Sequence, residues 1–223
     1  MFGLGPETTG ALTQVLAATG CFTVLDIGIG QLVKRLPMFA QWPSYRRQSL
    51  KLRLISTAHA TVALSLSLYS VAAATLPVLS YGLFDADRLR ISTQALQVTT
   101  AFSTGYFVWD TVVCLLDVKA AGGMFVVHAI ACLTAYATSR FASFAQLYLT
   151  LFLLYEVSTV AINVEWILSR VSGEPTPKSL ARLANALAGF SSFFFFRIVL
   201  GTVASLYFLS DVWYAYFLLL YFK

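Results

Sequence analysis

SFAQLYLTLFLLYEVSTVAINVEWILS, residues 143–169, carries two charged residues, Glu156 in its middle and Glu165 near its end. A stretch of this length covers the ~30 Å of a bilayer's hydrocarbon as an α-helix, and it is too long for the core helix of a small soluble domain. The same pattern recurs along the chain. Helices are expected at about 10–33, 54–80, 96–117, 122–139, 143–169, 182–203 and 205–222. The last two share one continuous apolar stretch, divided near Ala204 to Ser210 because 40 residues exceed a single crossing. The expected fold is therefore all-α, a polytopic transmembrane bundle of about seven helices, or six if that last stretch is undivided.

Composition requires lipid as the solvent. The chain is 58% hydrophobic and 11% charged, with a mean hydropathy of +0.76, which one soluble core of 223 residues cannot absorb. The net charge of +5 does not point to nucleic acid, because the basic residues flank apolar runs. They point to topology. The first span carries Glu7 before it and Lys34 and Arg35 after it, so it reads as a retained helix with its N-terminus outside. The cytosolic joints then hold Lys34, Arg35, Arg46, Arg47, Lys51, Arg53, Lys119, Arg170, Lys178, Arg182 and Lys223, against Arg88, Arg90 and Arg140 on the far side. That asymmetry of eleven to three obeys the positive-inside rule and puts the C-terminus in the cytosol.

Pro43, Pro175 and Pro177 mark two cytosolic loops, and GLFDADRLR, residues 82–90, is the longest opposite loop. No phosphate-binding loop is present to energise transport. Cys21, Cys114 and Cys132 fall inside apolar runs without paired spacing, so they read as reduced packing residues, and no metal or other cofactor is expected. Phe193 to Phe196 and the Trp213, Tyr214, Tyr216 cluster read as lipid-facing or interfacial aromatics.

Ionisable groups at bilayer depth cost at least ~2.5–3.5 kcal/mol each on insertion scales, so each needs a partner or a purpose. They are Asp26, His59, Asp110, His128, Glu156 and Arg197, with Asn163 as a neutral companion; Asp117 and Glu165 sit close enough to span ends to reach water. At ~1.5 Å per residue, Asp26, His59, Asp110, His128 and Asn163 fall roughly 9–12 Å below the cytosolic boundary, and Glu156 and Arg197 roughly 20–22 Å. Glu156 and Arg197 are expected to pair as structural glue. The shallower group is expected to line a polar chamber, where Asp110 polarises His59 and His128. Ser56, His59, Ala63, Ser67 and Ser70 share one helical face, as do Glu156, Thr159 and Asn163; such stripes suit a lined cavity and a hydrogen-bonded seam equally.

RLISTAHA (53–60), GYFVWD (105–110), VVHAIACL (126–133), LLYEVSTVAINVEWIL (153–168) and FFFFRIVLG (193–201) occur in that order and together resemble the TLC-domain family. The resemblance covers about residues 46 to 222. It implies a six-helix TLC-like domain over 46–223, preceded by an extra helix and cytosolic loop over 1–45. It further implies membrane lipid homeostasis in the endoplasmic reticulum or a related endomembrane. Ceramide synthases in this family carry adjacent histidines in the fourth span, with a His-Asp pair and a further aspartate in the fifth. Here those positions read His128 with Ala129, then Tyr155 with Glu156, and Thr159, so the chain resembles the small TLC-domain proteins instead.

Three functions remain in contention. The first is a protein that binds an acyl chain or phospholipid within the bundle, through a network of Glu156, Asn163, Arg197, Asp26 and Thr159. The second is an acyltransferase or transacylase, with acyl-coenzyme A as one donor, using His128 as nucleophile or base, Asp110 to orient it and His59 to assist. The third is a cargo receptor or scaffold.

Overall fold

The computed structural model describes residues 6–78, 85–173 and 179–221. Among them the regular elements are all helical: α1 (Pro6–Arg35), α2 (Ser44–Val78), α3 (Gln94–Leu116), α4 (Val118–Ala121), α5 (Gly123–Ala142), α6 (Gln146–Phe152), α7 (Glu156–Ser172), α8 (Leu180–Ser192) and α9 (Gly201–Tyr221). Short 3₁₀ turns lie at Pro37–Phe39, Ala86–Arg90 and Leu153–Tyr155, and a π-helix spans Phe193–Leu200. Seven of the α-helices run 13 residues or longer, in keeping with the helix number expected.

The division of the last apolar stretch is different. No reversal occurs near Ala204 to Ser210, which lies inside α9. Leu180–Tyr221 is instead one 42-residue column whose only change of winding is the π-helix. The residues of the supposed break, ASLYFLS, contain no proline or glycine to stop a helix, so length alone had suggested the turn. Among the described residues the bundle thus has six columns, α6 and α7 being joined through a 3₁₀ turn into another.

Five of the six columns are long and apolar enough to cross a membrane. The exception, α3, is rich in hydroxyls, and the rest of the bundle protects it. It packs against α1, α2 and α5, with Thr99, Thr100, Ser103, Thr104 and Gly105 buried. Thr99, Thr100 and Thr104 return their hydroxyls to the carbonyls of Ala95, Leu96 and Thr100, leaving few unpaired groups facing apolar neighbours. At Gly105 the backbones of α1 and α3 touch, and Thr19 Oγ1 donates to the Gly105 carbonyl at 3.1 Å. Small residues permit that approach, which lipid alone does not drive.

The turn from α5 to α6 is tight, with Ser143 and Ala145 in the left-handed region at φ of 49° and 54°. The Ala145 amide donates to the Leu89 carbonyl at 2.7 Å, which ties this turn to the one before α3. At the other end of the bundle, Lys51 on α2 pairs with Asp26 on α1 at 2.7 Å, and Arg182 on α8 with Glu165 on α7 at 2.5 Å. Asp26 thus has a cation partner from the adjacent helix, and Glu165 is ion-paired rather than merely wetted. Phe193, Phe194, Phe195, Trp213 and Tyr216 are exposed on the bundle's outer surface, as lipid-facing aromatics require. Pro175, Pro177, Lys178, Lys223 and residues 82–84 of the long loop lie outside the described residues.

Candidate functional site

Five columns converge on a cavity of about 270 Å³ near the basic end of the bundle. Asp110 comes from α3, His128 from α5, Glu156, Thr159 and Asn163 from α7, and Arg197 from the π-helix, with Arg53 and Ser56 of α2 completing the ring. Six of the eight residues singled out from sequence therefore line one space. Residues counted to both depths line this same cavity.

Asn163 is the hinge of its α2 wall. Its Oδ1 accepts from Arg53 Nη1 at 3.0 Å, and its Nδ2 donates to Thr57 Oγ1 at 3.1 Å and to the Arg53 carbonyl at 3.3 Å. Arg53 also lies over the Trp166 ring, 4.6 Å from its centroid, so its stem and one donor are fixed by neutral groups. Arg197 is held in the same way. Its Nε donates to Ser158 Oγ at 2.9 Å and its Nη2 to Thr159 Oγ1 at 3.1 Å.

The direct Glu156–Arg197 ion pair expected from depth is not formed: among the described residues Arg197 bonds the two hydroxyls that follow Glu156 on α7. The wider turn of the π-helix sets this register. Both side chains line the cavity. Asp110 and Glu156 line the same space. Asp110 has a thiol as its neighbour, Cys114 Sγ at 3.6 Å from Oδ1.

His128 occupies the junction with a second cavity. This one, about 350 Å³, is lined mainly by apolar and aromatic groups of α5, α6 and the 3₁₀ turn after it, including Ala131, Ala135, Tyr136, Leu149 and Phe152. Phe107, His128, Glu156 and Arg197 line both spaces. His128 is also exposed at the bundle surface, and its Nε2 lies 3.6 Å from Cys132 Sγ one turn later. Polar chamber and apolar annex thus share one wall, with an imidazole at its edge.

His59 is not part of that wall. It is 1% exposed and lies flat on Tyr106, ring centroids 3.8 Å apart and planes 8° from parallel, with Phe22, Phe102 and Phe107 around it. Its Nε2 faces Ser103 Oγ at 3.5 Å. Tyr106, which does line the cavity, stands on the face of the α2 stripe where His59 was expected to open. The stripe is a packed seam at this level: Ser67 Oγ donates to the Thr150 carbonyl at 2.6 Å, and Ser70 bonds Thr99 at 2.8 Å. Asp26, on α1 with Lys51, is likewise absent from both cavity walls.

Arg53, Tyr106 and Cys114 were within reach of a sequence reading but not counted as site residues. Arg53 had been assigned to topology, although it opens the segment RLISTAHA and stands one helical turn before Thr57.

Residues 50–222 match the model of the TLC-domain family, and the chain belongs to that family. It is also similar to "Topoisomerase I damage affected protein 4" of Saccharomyces cerevisiae (strain ATCC 204508 / S288c), 29% identical over 119 residues. That match covers 52% of this chain and 42% of the relative, so the shared part spans less than half the relative's length. No solved structure matches the chain.

Proposed function

For this member of the TLC-domain family, we propose a role in membrane lipid homeostasis through binding of an acyl chain or phospholipid inside the bundle. The contiguity of the two cavities carries the reading: a polar chamber fitted with two guanidinium groups shares four lining residues with an apolar annex. An amphiphile has the same two halves. Arg53 and Arg197 offer fork-shaped donors to a phosphate or carboxylate, and the annex offers an apolar chain a place out of water. The charged lining at bilayer depth is then put to use by the ligand it receives.

The membrane is the endoplasmic reticulum or a related endomembrane, with the basic end of the bundle in the cytosol and the N-terminus in the lumen. Six columns in place of seven crossings carry the C-terminal end of α9 to the lumenal side as well, since Asp211 on α9 meets Arg88 there.

Mass spectrometry of lipids retained by the purified protein tests binding. One lipid class is expected above its share of the bulk mixture, and it is lost when Cys132→Trp fills the annex. A retained mixture identical to the bulk in the unaltered protein overturns the proposal.

His128 supports a second reading, acyl transfer from acyl-coenzyme A or a phospholipid, because it alone among the imidazoles borders both cavities. Its test is an acyl adduct on His128 after incubation with acyl donor, detected on the intact protein. The absence of adduct and turnover removes that reading and leaves binding.

A further inference from the structure

The polar chamber is lined by four formal charges, and they cancel. Arg53 and Arg197 supply two positive groups, Asp110 and Glu156 two negative ones. They cancel without pairing. Three other carboxylates of the helices, Asp26, Glu165 and Asp211, each have a cation at 2.7 Å or closer. Among the described residues Glu156 has no such partner, and Asp110 has only the Cys114 thiol as a hydrogen-bond neighbour. Two acids that line one cavity without a cation bonded to either are a place that a positive group would satisfy.

The arginines are complementary. Arg53 spends one donor on Asn163, and Arg197 two on Ser158 and Thr159, all neutral acceptors that leave the full charge in place. A guanidinium has five donors, so both retain some for a ligand. A helix interior that keeps two fixed cations and two fixed anions apart, each held by neutral partners, is preorganised for a ligand with both signs.

We infer that the lipid headgroup taken by the chamber is zwitterionic, its phosphate received by the arginines and its ammonium by Asp110 and Glu156. This inference rests on the lipid-binding reading above and narrows it to a ligand class. A purely anionic lipid satisfies the arginines but adds charge to an already neutral chamber and leaves the two acids opposed. A zwitterion satisfies both halves and leaves the balance unchanged. Ammonium chemistry beyond this is not distinguished by the residues, since both primary and quaternary amines carry the charge on which the argument turns.

The experiment incorporates the full chain into nanodiscs holding equal amounts of phosphatidylcholine, phosphatidylethanolamine and phosphatidylglycerol with identical acyl chains. After extraction into detergent, the retained lipids are quantified. The unaltered protein is expected to retain the zwitterionic lipids over the anionic one by roughly tenfold, the scale set by an uncompensated charge in a low-dielectric site. Asp110→Asn together with Glu156→Gln moves that ratio toward phosphatidylglycerol. Arg53→Gln moves it the other way, and it serves as the reciprocal test if the double variant fails to elute as a folded species. Retention of phosphatidylglycerol by the unaltered protein, or a ratio indifferent to the charges in every folded variant, overturns the headgroup inference while leaving lipid binding intact. Retention of no lipid overturns both.

Discussion

Nη2 of Arg88 lies 2.6 Å from Oδ1 of Asp211, and Nε lies 2.8 Å from Oδ2, so residues 123 positions apart in sequence form a two-pronged ion pair at the end of the bundle opposite the cavity. Asp211 is fully buried and also accepts from the Tyr148 hydroxyl and the Asp85 amide. One carboxylate therefore clamps three separate parts of the chain: the turn before α3, α6 and the C-terminal column.

Removing half of a buried pair leaves the other half charged and unsatisfied. Asp211→Ala is expected to lower stability by about 3–5 kcal/mol, read as a drop in the thermal midpoint of the detergent-solubilised protein. The double change of Arg88→Met with Asp211→Leu should recover most of that loss. An Asp211→Ala midpoint equal to the unaltered one would mean that the clamp does not hold the bundle.

The clamp also has a pH signature. The hydrogen bond from Arg88 to Asp211 holds the guanidinium pKa above its ordinary value. A raised pKa of a cation contributes stability that is complete below the unfolded value and is lost only as pH rises through the folded one. Stability is therefore expected to show no loss from this pair between neutral pH and pH ~10, where an arginine remains charged in either state. A pair-dependent loss in that window, measured as a difference from the Met/Leu double variant, would contradict the assignment.

Gly105 sets the distance between α1 and α3. A methyl added there falls 2.8 Å from the backbone nitrogen of Thr19, an atom that cannot rotate away. Gly105→Ala should cost about 1–3 kcal/mol by forcing the helices apart, with a lowered thermal midpoint as the readout. The same substitution at Gly10 or Gly20, where the added atom meets nothing within 4 Å, should leave the midpoint unchanged or raised.

His59 separates packing from chemistry. His59→Ala removes a ring from a buried aromatic stack and should cost about 2–4 kcal/mol. His59→Phe keeps the ring and should preserve both the midpoint, to within about 1.5 kcal/mol, and lipid retention. Full stability with abolished lipid retention in the Phe variant would return His59 to the chemistry of the site.

Asn163→Ala takes the acceptor from Arg53 Nη1 and the donor from Thr57 together. The expected loss is about 1–3 kcal/mol, accompanied by weaker lipid retention because Arg53 is no longer positioned. Retention equal to that of the unaltered protein would separate the α2 wall from the binding site.

The bundle was legible because apolar length and charge asymmetry are one-dimensional properties. Depth is nearly so, and counting residues brought Asp110, His128, Glu156, Asn163 and Arg197 to the wall on which they meet. Rotation about each helix axis is not one-dimensional. His59 has a suitable depth, but its face of α2 turns toward Tyr106 and Phe22 rather than the cavity. Asp211 is hidden from sequence for a related reason: a division near Ala204 to Ser210 leaves this residue close to a chain reversal, where an acid can reach water without a partner. With α9 continuous, the same acid is buried in mid-helix against the turn before α3, where its cation is Arg88. Arg53 was read as a topology signal, a role that its second function at the cavity does not disturb.

The most direct test of the lipid-filled cavity is a photoactivatable phospholipid, with its diazirine near the chain terminus, crosslinked to the protein in nanodiscs and mapped by peptide mass spectrometry. The lining of the annex predicts adducts concentrated on Ala131 to Tyr136 of α5 and Leu149 to Phe152 of α6 and displaced by excess unlabelled lipid. Adducts confined to outward residues such as Val24, Leu68 and Leu206, with none displaceable on the cavity wall, would contradict the account.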